Sequence, residues 1–176
     1  MKGQERIETA RLVLRKTTPA DAEAVFQRYA SDREVTKFLS WRCHQSIEET
    51  RAFLDRSERE WTQSASGAYL IESRDPARLL GSTGLHFETP ILAITGYVLA
   101  KDAWGYGYAT EALTAIVELA RTVSVRSLRA SCHVENIASM RVLEKCGFFR
   151  EKPDLYISFP NLGPIPVESL RYVRTF

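Results

Sequence analysis

The sequence predicts a mixed α/β (α+β) fold in which a sheet is covered by helices, and two features of its pattern predict it. Between residues 68 and 100 three strand-like runs follow one another, separated only by the turn dipeptides Asp75-Pro76 and Thr89-Pro90, the mark of an antiparallel meander. Beyond residue 107 the period changes to a long amphipathic helix, a strand, a short helix and two closing strands, an alternation that lays helices on a sheet. No repeat, low-complexity tract or Pro/Gly-rich linker divides the chain, so residues 1–176 are read as a single domain.

The elements follow in order. Residues 11–15 read as the first strand, with Leu12 and Leu14 facing in and Arg11 and Arg15 facing out at period two. Thr18-Pro19-Ala20-Asp21 starts a helix, with a threonine cap, proline at the first helical position and an acid in the first turn. Ser46 and Glu49 have the spacing of a capping box, and the helix they open runs to about Trp61. Strands follow at residues 69–72, 79–87 and 92–100. Gly81 and Gly84 interrupt the middle one, which implies a bulge or a close approach of two backbones. From Gly107 to about Arg121, the residues Ala109, Ala112, Leu113, Ile116, Val117 and Ala120 recur at helical spacing, with Glu111, Thr114, Glu118 and Arg121 opposite. A strand at 128–134, a short helix at 137–146 ended by Gly147, and strands near Leu155 and Tyr172 complete the chain.

Composition excludes several classes. The formal charge of +2 is too balanced for a nucleic-acid or membrane-surface partner. The three arginines between 121 and 129 read as a solvated helix end. Cys43, Cys132 and Cys146 are odd in number and widely spaced, without metal-ligand or redox-motif spacing, as expected in a reducing compartment. The polar N-terminus and the lack of any apolar run of about 18 residues argue against a signal peptide or membrane span and point to the cytoplasm. His44, His86 and His133 also lack ligand spacing, so no metal is expected.

The chemistry is concentrated in Trp104-Gly105-Tyr106-Gly107-Tyr108-Ala109-Thr110, between a strand and the strongest helix. The glycines allow close backbone approach and left-handed torsions. The helix start leaves amide N–H groups unpaired at the positive end of the dipole, which makes a backbone cradle for phosphate. A P-loop would need Lys then Ser or Thr where Ala109 and Thr110 stand, and a dinucleotide fingerprint would need a third glycine at Thr110. Neither fits.

Tyr97-Val98-Leu99 followed by Trp104 to Ala112 resembles the coenzyme-binding motif of the GNAT acetyltransferases, and most closely their RimJ/RimL-like branch. Asn136-Ile137-Ala138-Ser139-Met140-Arg141-Val142-Leu143-Glu144-Lys145-Cys146-Gly147-Phe148 is similar to a second motif of the family. The opening Thr9-Ala10-Arg11-Leu12-Val13-Leu14-Arg15 with Asp21 is similar to the same branch, so the likeness spans nearly the whole chain. It implies a central, mostly antiparallel twisted sheet of about seven strands with helices on both faces. Its splayed parallel pair would bind acetyl-CoA: the pantetheine arm beside Val98 and Leu99, the diphosphate on the amides from Gly105 to Thr110. The implied activity is transfer of acetyl to a primary amine, either a protein or peptide N-terminus or a small amine. A non-catalytic acetyl-CoA sensor is the alternative. The sequence does not separate a monomer from a homodimer.

For catalysis, the resemblance gives the oxyanion to a backbone N–H near Val98 or Leu99. The tyrosine that many family members carry seven residues after the motif asparagine is replaced here by Leu143, the one feature that favours the sensor. Ser139, one helical turn earlier on the same face, becomes the candidate donor to the thiolate, beside an equally available role in the helix start. Asn136 is expected to cap that helix and contact pantetheine. Glu88 is named as a candidate base, with Glu111 assigned to the helix dipole and a water chain as the alternative. Trp104 stands where the wider family has Gln or Arg, which weakens side-chain anchoring of the phosphates. Tyr106 and Tyr108 either cover the coenzyme or pack in the core. The acceptor pocket is expected between residues 21–61 and the loop near 159–166, where Pro160-Asn161-Leu162-Gly163-Pro164 forms a lid or a turn.

Overall fold

The computed structural model describes residues 4–64 and 66–176; residues 1–3 of the polar N-terminus lie outside the described residues. One sheet runs through it in the order β1-β2-β3-β4-β5-β6-β8-β7, formed by β1 (Arg6–Glu8), β2 (Leu12–Lys16), β3 (Ala68–Arg74), β4 (Ala77–Thr89), β5 (Leu92–Leu99), β6 (Ser127–His133), β7 (Phe149–Ile157) and β8 (Val167–Thr175). All pairings are antiparallel except β5 with β6. The sequence reading of about seven strands misses β1. Only Ile7 of its three residues packs against the core, too little apolar signal for a strand. The chain order of the last two strands is also reversed in space, because β8 inserts between β6 and β7.

The helices are α1 (Ala22–Val25), α2 (Arg33–Thr36), α3 (Ile47–Ser64), α4 (Tyr108–Thr122) and α5 (Ile137–Lys145). The start at Thr18 appears as a 3₁₀ turn, Pro19–Asp21, in which the Asp21 carboxylate accepts from the Thr18 amide at 2.7 Å and its hydroxyl at 2.9 Å. After α1 the chain widens into a π turn, Phe26–Ala30, closed by the Ser31 amide and hydroxyl on the Phe26 carbonyl. Asp32 then caps α2, accepting from the amides of Glu34 and Val35. The capping box expected at Ser46 closes one residue earlier: Glu49 accepts from the Gln45 amide at 2.9 Å.

Successive residues of a strand face opposite sides, and the core divides accordingly. Tyr69, Ile71 and Leu99 join the cluster under α4 and α5, with Leu113, Ile116 and Leu128 fully buried. Leu70 and Val98 join the second cluster with Val25, Tyr29 and Val35 of the N-terminal helices. Of the expected apolar stripe of α4, Ala112, Leu113, Ile116, Val117 and Ala120 are buried and Ala109 is half-buried; Leu119 belongs to it as well. Each such Leu or Ile contributes roughly 1.5–3 kcal/mol by leaving water. Cys43, Cys132 and Cys146 are buried free thiols. No helix among the described residues is long and apolar enough to cross a membrane, and they contain no group of three or more His, Cys, Asp or Glu able to hold a metal.

Candidate active site

The site begins as a failure of pairing. β5 and β6 are in register only at Leu92↔Ser127, Ala93↔Leu128 and Ile94↔Arg129. Beyond Ile94 the strands diverge, and a wedge opens along Tyr97, Val98 and Leu99. On the other side β5 stays bound to β4, with Gly81 opposite Leu99 and Ser82 opposite Val98. The Ala100 amide donates to the Leu80 carbonyl at 2.7 Å. An antiparallel ladder alternates, so the Leu99 amide and carbonyl face the wedge. The carbonyl is taken by the Trp104 indole N–H at 2.8 Å; the amide is left for another acceptor. Gly81 makes this possible, since a Cβ there would sit 2.0 Å from the Val98 carbonyl oxygen. Close backbone approach is thus the role of this glycine.

The loop after β5 carries the second feature. Gly105 and Gly107 have φ of +83° and +80°, left-handed torsions that cost side-chain-bearing residues 1–2 kcal/mol or so. Gly107 is the residue before α4, and the first helical bond there is Glu111 amide to Gly107 carbonyl at 3.1 Å. The amides of Gly105, Tyr106, Gly107, Tyr108, Ala109 and Thr110 donate to no backbone or side-chain acceptor among the described residues. Of the two tyrosines, Tyr108 and its neighbour Ala109 pack against the core, while Tyr106 is exposed.

Across the wedge, α5 begins at Asn136, whose side-chain oxygen accepts from the Ser139 amide at 3.1 Å. The expected cap is present. Ser139 is half-buried, and its hydroxyl lies 2.9 Å from the Tyr97 phenol oxygen; Tyr97 also donates to the Ser139 carbonyl at 3.1 Å. Burial pushes the Tyr97 phenol above its ordinary value, against the opposing Ser139 hydrogen bond, so the group stays protonated. Burial likewise pushes the Cys132 thiol, which adjoins Ser139, up to about 11. Leu143 is buried in the main core, one turn further on. The motif reading gives Tyr97 no role of its own. Only strand parity hints at it, because Thr95, Tyr97 and Leu99 share the face that α4 and α5 cover.

Other candidates are placed elsewhere. Glu88 is exposed beside the hairpin where Thr89 pairs with Leu92, seven strand residues or about 23 Å from Leu99. The structure thus places Glu88 at the far end of β4 from the Leu99 amide, and does not bring the two together. Glu111 is spent on structure: it accepts from the Thr9 hydroxyl at 2.6 Å, the Arg11 amide at 2.8 Å and the Arg11 Nε at 2.7 Å. The three histidines are dispersed: His86 pairs with Glu60 at 3.1 Å, His44 with the Thr50 hydroxyl at 2.8 Å, and His133 Nδ1 accepts from the Glu135 amide. The loop after β7 does meet the N-terminal helices. The Asn161 carboxamide donates to the Thr36 and Trp41 carbonyls at 2.7 and 2.8 Å and accepts from the Cys43 amide at 2.8 Å. Close by, His133 stacks on Phe38 and meets the edge of Phe159.

A wedge in a sheet beside a glycine loop of unpaired backbone amides is an arrangement that can seat an acyl-coenzyme A, as an acyltransferase requires. The model of the acetyltransferase (GNAT) domain matches residues 11–149, and the chain belongs to this family of acetyl-CoA-dependent N-acetyltransferases. It is 30% identical over 148 residues to the uncharacterized N-acetyltransferase YoaA of Bacillus subtilis, covering 82% of this chain and 83% of that protein. Among solved structures, a GNAT-family acetyltransferase from Bacillus anthracis superposes with a TM-score of 0.82 at 25% identity, over 97% of this chain and 98% of that one. RimL, the ribosomal L7/L12 alpha-N-protein acetyltransferase in complex with coenzyme A, gives 0.83 at 23% identity over 98% of both chains.

Proposed function

We propose that this enzyme acetylates the primary amine of a peptide or protein N-terminus, with acetyl-CoA seated between β5 and β6. The observation that carries the reading is the conjunction of unpaired amides at 105–110 with an open Leu99 amide and the Ser139 hydroxyl at the two walls of one wedge. Acetyl-CoA supplies a thioester-activated acetyl group. The amides from Gly105 to Thr110, backed by the α4 dipole, hold its diphosphate. Val98 and Leu99 offer backbone to the pantetheine amides, and the Asn136 carboxamide meets them from the opposite wall.

As the amine nitrogen bonds to the acetyl carbon, negative charge gathers on the carbonyl oxygen, and the Leu99 N–H is aimed to take it. When the carbon–sulfur bond breaks, the Ser139 hydroxyl gives its proton to the departing sulfur and recovers one from the water that takes the ammonium proton, while the Tyr97 phenol holds the serine by hydrogen bond. Tyr97 suits this holding role because burial keeps it protonated. The ammonium proton leaves to water, since no carboxylate among the proposed site residues faces the wedge. The Ser139 hydroxyl, held by a phenol on β5, thereby offsets the hydroxyl missing at Leu143, and favours the enzyme over a coenzyme-binding sensor.

The peptide acceptor is supported by the RimJ/RimL-like motifs of the chain and by the fold shared with RimL. The test is a panel of free-amino-terminal peptides and of small amines, incubated with acetyl-CoA and followed by thiol release. Turnover of peptides above that of small amines supports the reading. Turnover of small amines alone overturns the acceptor, and coenzyme binding without any turnover overturns the enzyme.

A further inference from the structure

Arg11, in the turn between β1 and β2, is about a hundred residues from the phosphate loop in sequence yet is fastened to it at several points. Its Nη1 donates to the Tyr106 carbonyl at 2.9 Å, and its guanidinium carbon lies 4.8 Å from the centre of the Tyr108 ring. Its Nε is held by Glu111, which the Thr9 hydroxyl and the Arg11 amide hold in turn. Nη2 lies 3.6 Å from the place a Cβ on Gly107 would take. A guanidinium has five N–H donors. Two are spent here, and three on the Nη edge have no acceptor among the described residues. That edge borders the loop whose amides are themselves unpaired.

We infer that Arg11 is a ligand of the coenzyme's diphosphate, closing over the amide cradle from the β1–β2 turn. The inference rests on the proposed coenzyme site and supplies what Trp104 does not, a cationic side chain for the phosphate oxygens. A planar fork suits such oxygens better than a point charge. Its contacts to Glu111, Tyr106 and Tyr108 fix the side chain beforehand, so little rotamer freedom is left to lose on binding. The competing role is a staple that only joins β2 to α4.

The two roles separate by ligand. Coenzyme A carries the diphosphate and pantetheine does not, so binding of coenzyme A by calorimetry and its displacement by pantetheine report the two halves independently. Arg11→Gln is expected to weaken coenzyme A about tenfold or more, the scale of a hydrogen bond to a charged group, and to leave pantetheine affinity unchanged. Dephospho-coenzyme A is expected to lose as much, since it keeps the diphosphate. Thr9→Ala, which removes one of the three hydrogen bonds to Glu111 but spares both that Arg11 makes, is expected to lower the melting temperature while preserving the coenzyme A to pantetheine ratio. Where Arg11→Gln fails to fold, Arg11→Lys keeps the charge but not the fork and is expected to lower the same ratio. Equal weakening of both ligands, or of neither, overturns the role of Arg11. A wild-type protein that does not prefer coenzyme A over pantetheine overturns the cradle itself.

Discussion

Gly81→Ala tests whether the wedge depends on how closely β4 and β5 approach. The added methyl would stand 2.0 Å from the Val98 carbonyl oxygen and 2.9 Å from the Leu99 Cα, against an ordinary contact starting at 3.4 Å. The shortfall of roughly 1.4 Å falls on backbone atoms, which cannot rotate away as a side chain would. The strands must therefore part, and β5 moves toward the wedge that it borders. Overpacking of this kind costs about 1–3 kcal/mol. A shift of about 1 Å in the group that receives the oxyanion costs on the order of 100-fold in rate. Chemical denaturation and thiol release from acetyl-CoA measure the two effects separately. Gly96→Ala is the control: nothing lies within 4 Å of its Cβ, so stability is expected to hold or rise by about 0.4–1 kcal/mol. A Gly81→Ala protein as stable and active as the parent would refute the reasoning, as would an equal loss of stability at Gly96.

Four further outcomes are expected. Ser139→Ala should lower kcat by about 100-fold or more, in the range of general acid catalysis, with the KM for acetyl-CoA little changed. Tyr97→Phe should lower kcat by a smaller factor, and the double variant should be no worse than Ser139→Ala alone, because Tyr97 acts by holding Ser139; additive losses would contradict that pairing. Asn161→Ala removes three hydrogen bonds between the β7–β8 loop and the segment 36–43, worth roughly 2–4 kcal/mol together, and should raise the KM for the amine but not for acetyl-CoA. Burial raises the Asp21 and Glu111 carboxyls, but hydrogen bonds from Arg15 and Thr18, and from Thr9 and Arg11, outweigh it and hold both below their ordinary values of 3.8 and 4.5. Such groups stabilise the fold fully above those values and lose that contribution as pH falls through the depressed ones. Stability should therefore decline below about pH 4.5, with a shallower slope in Asp21→Asn and Glu111→Gln; an unchanged slope in both variants would contradict it.

The long periodic elements were legible in the sequence because each carries its own signal. The stripe of α4, the meander from β3 to β5 and the glycines at 105 and 107 depend on neighbouring residues only. What escaped depends on pairings across the chain. β1 exists because Arg6, Ile7 and Glu8 pair with Arg15, Leu14 and Val13, not because the segment is apolar. The Tyr97–Ser139 contact spans 42 residues, and Asn161 reaches back more than a hundred. The distance of Glu88 from Leu99 was not legible either, because composition cannot say at which end of a hairpin the sheet opens. Three residues of parallel register show where β5 and β6 stay paired.

The same three residues give β5 a divided character in isotope exchange. Val98 and Ala100 turn their amides to β4, while Tyr97 and Leu99 turn theirs to the wedge. Deuterium should enter the free enzyme at alternate positions along this one strand, quickly at Tyr97 and Leu99 and slowly at their neighbours. Bound coenzyme should erase the alternation, so that a single stretch of backbone registers whether the wedge is filled.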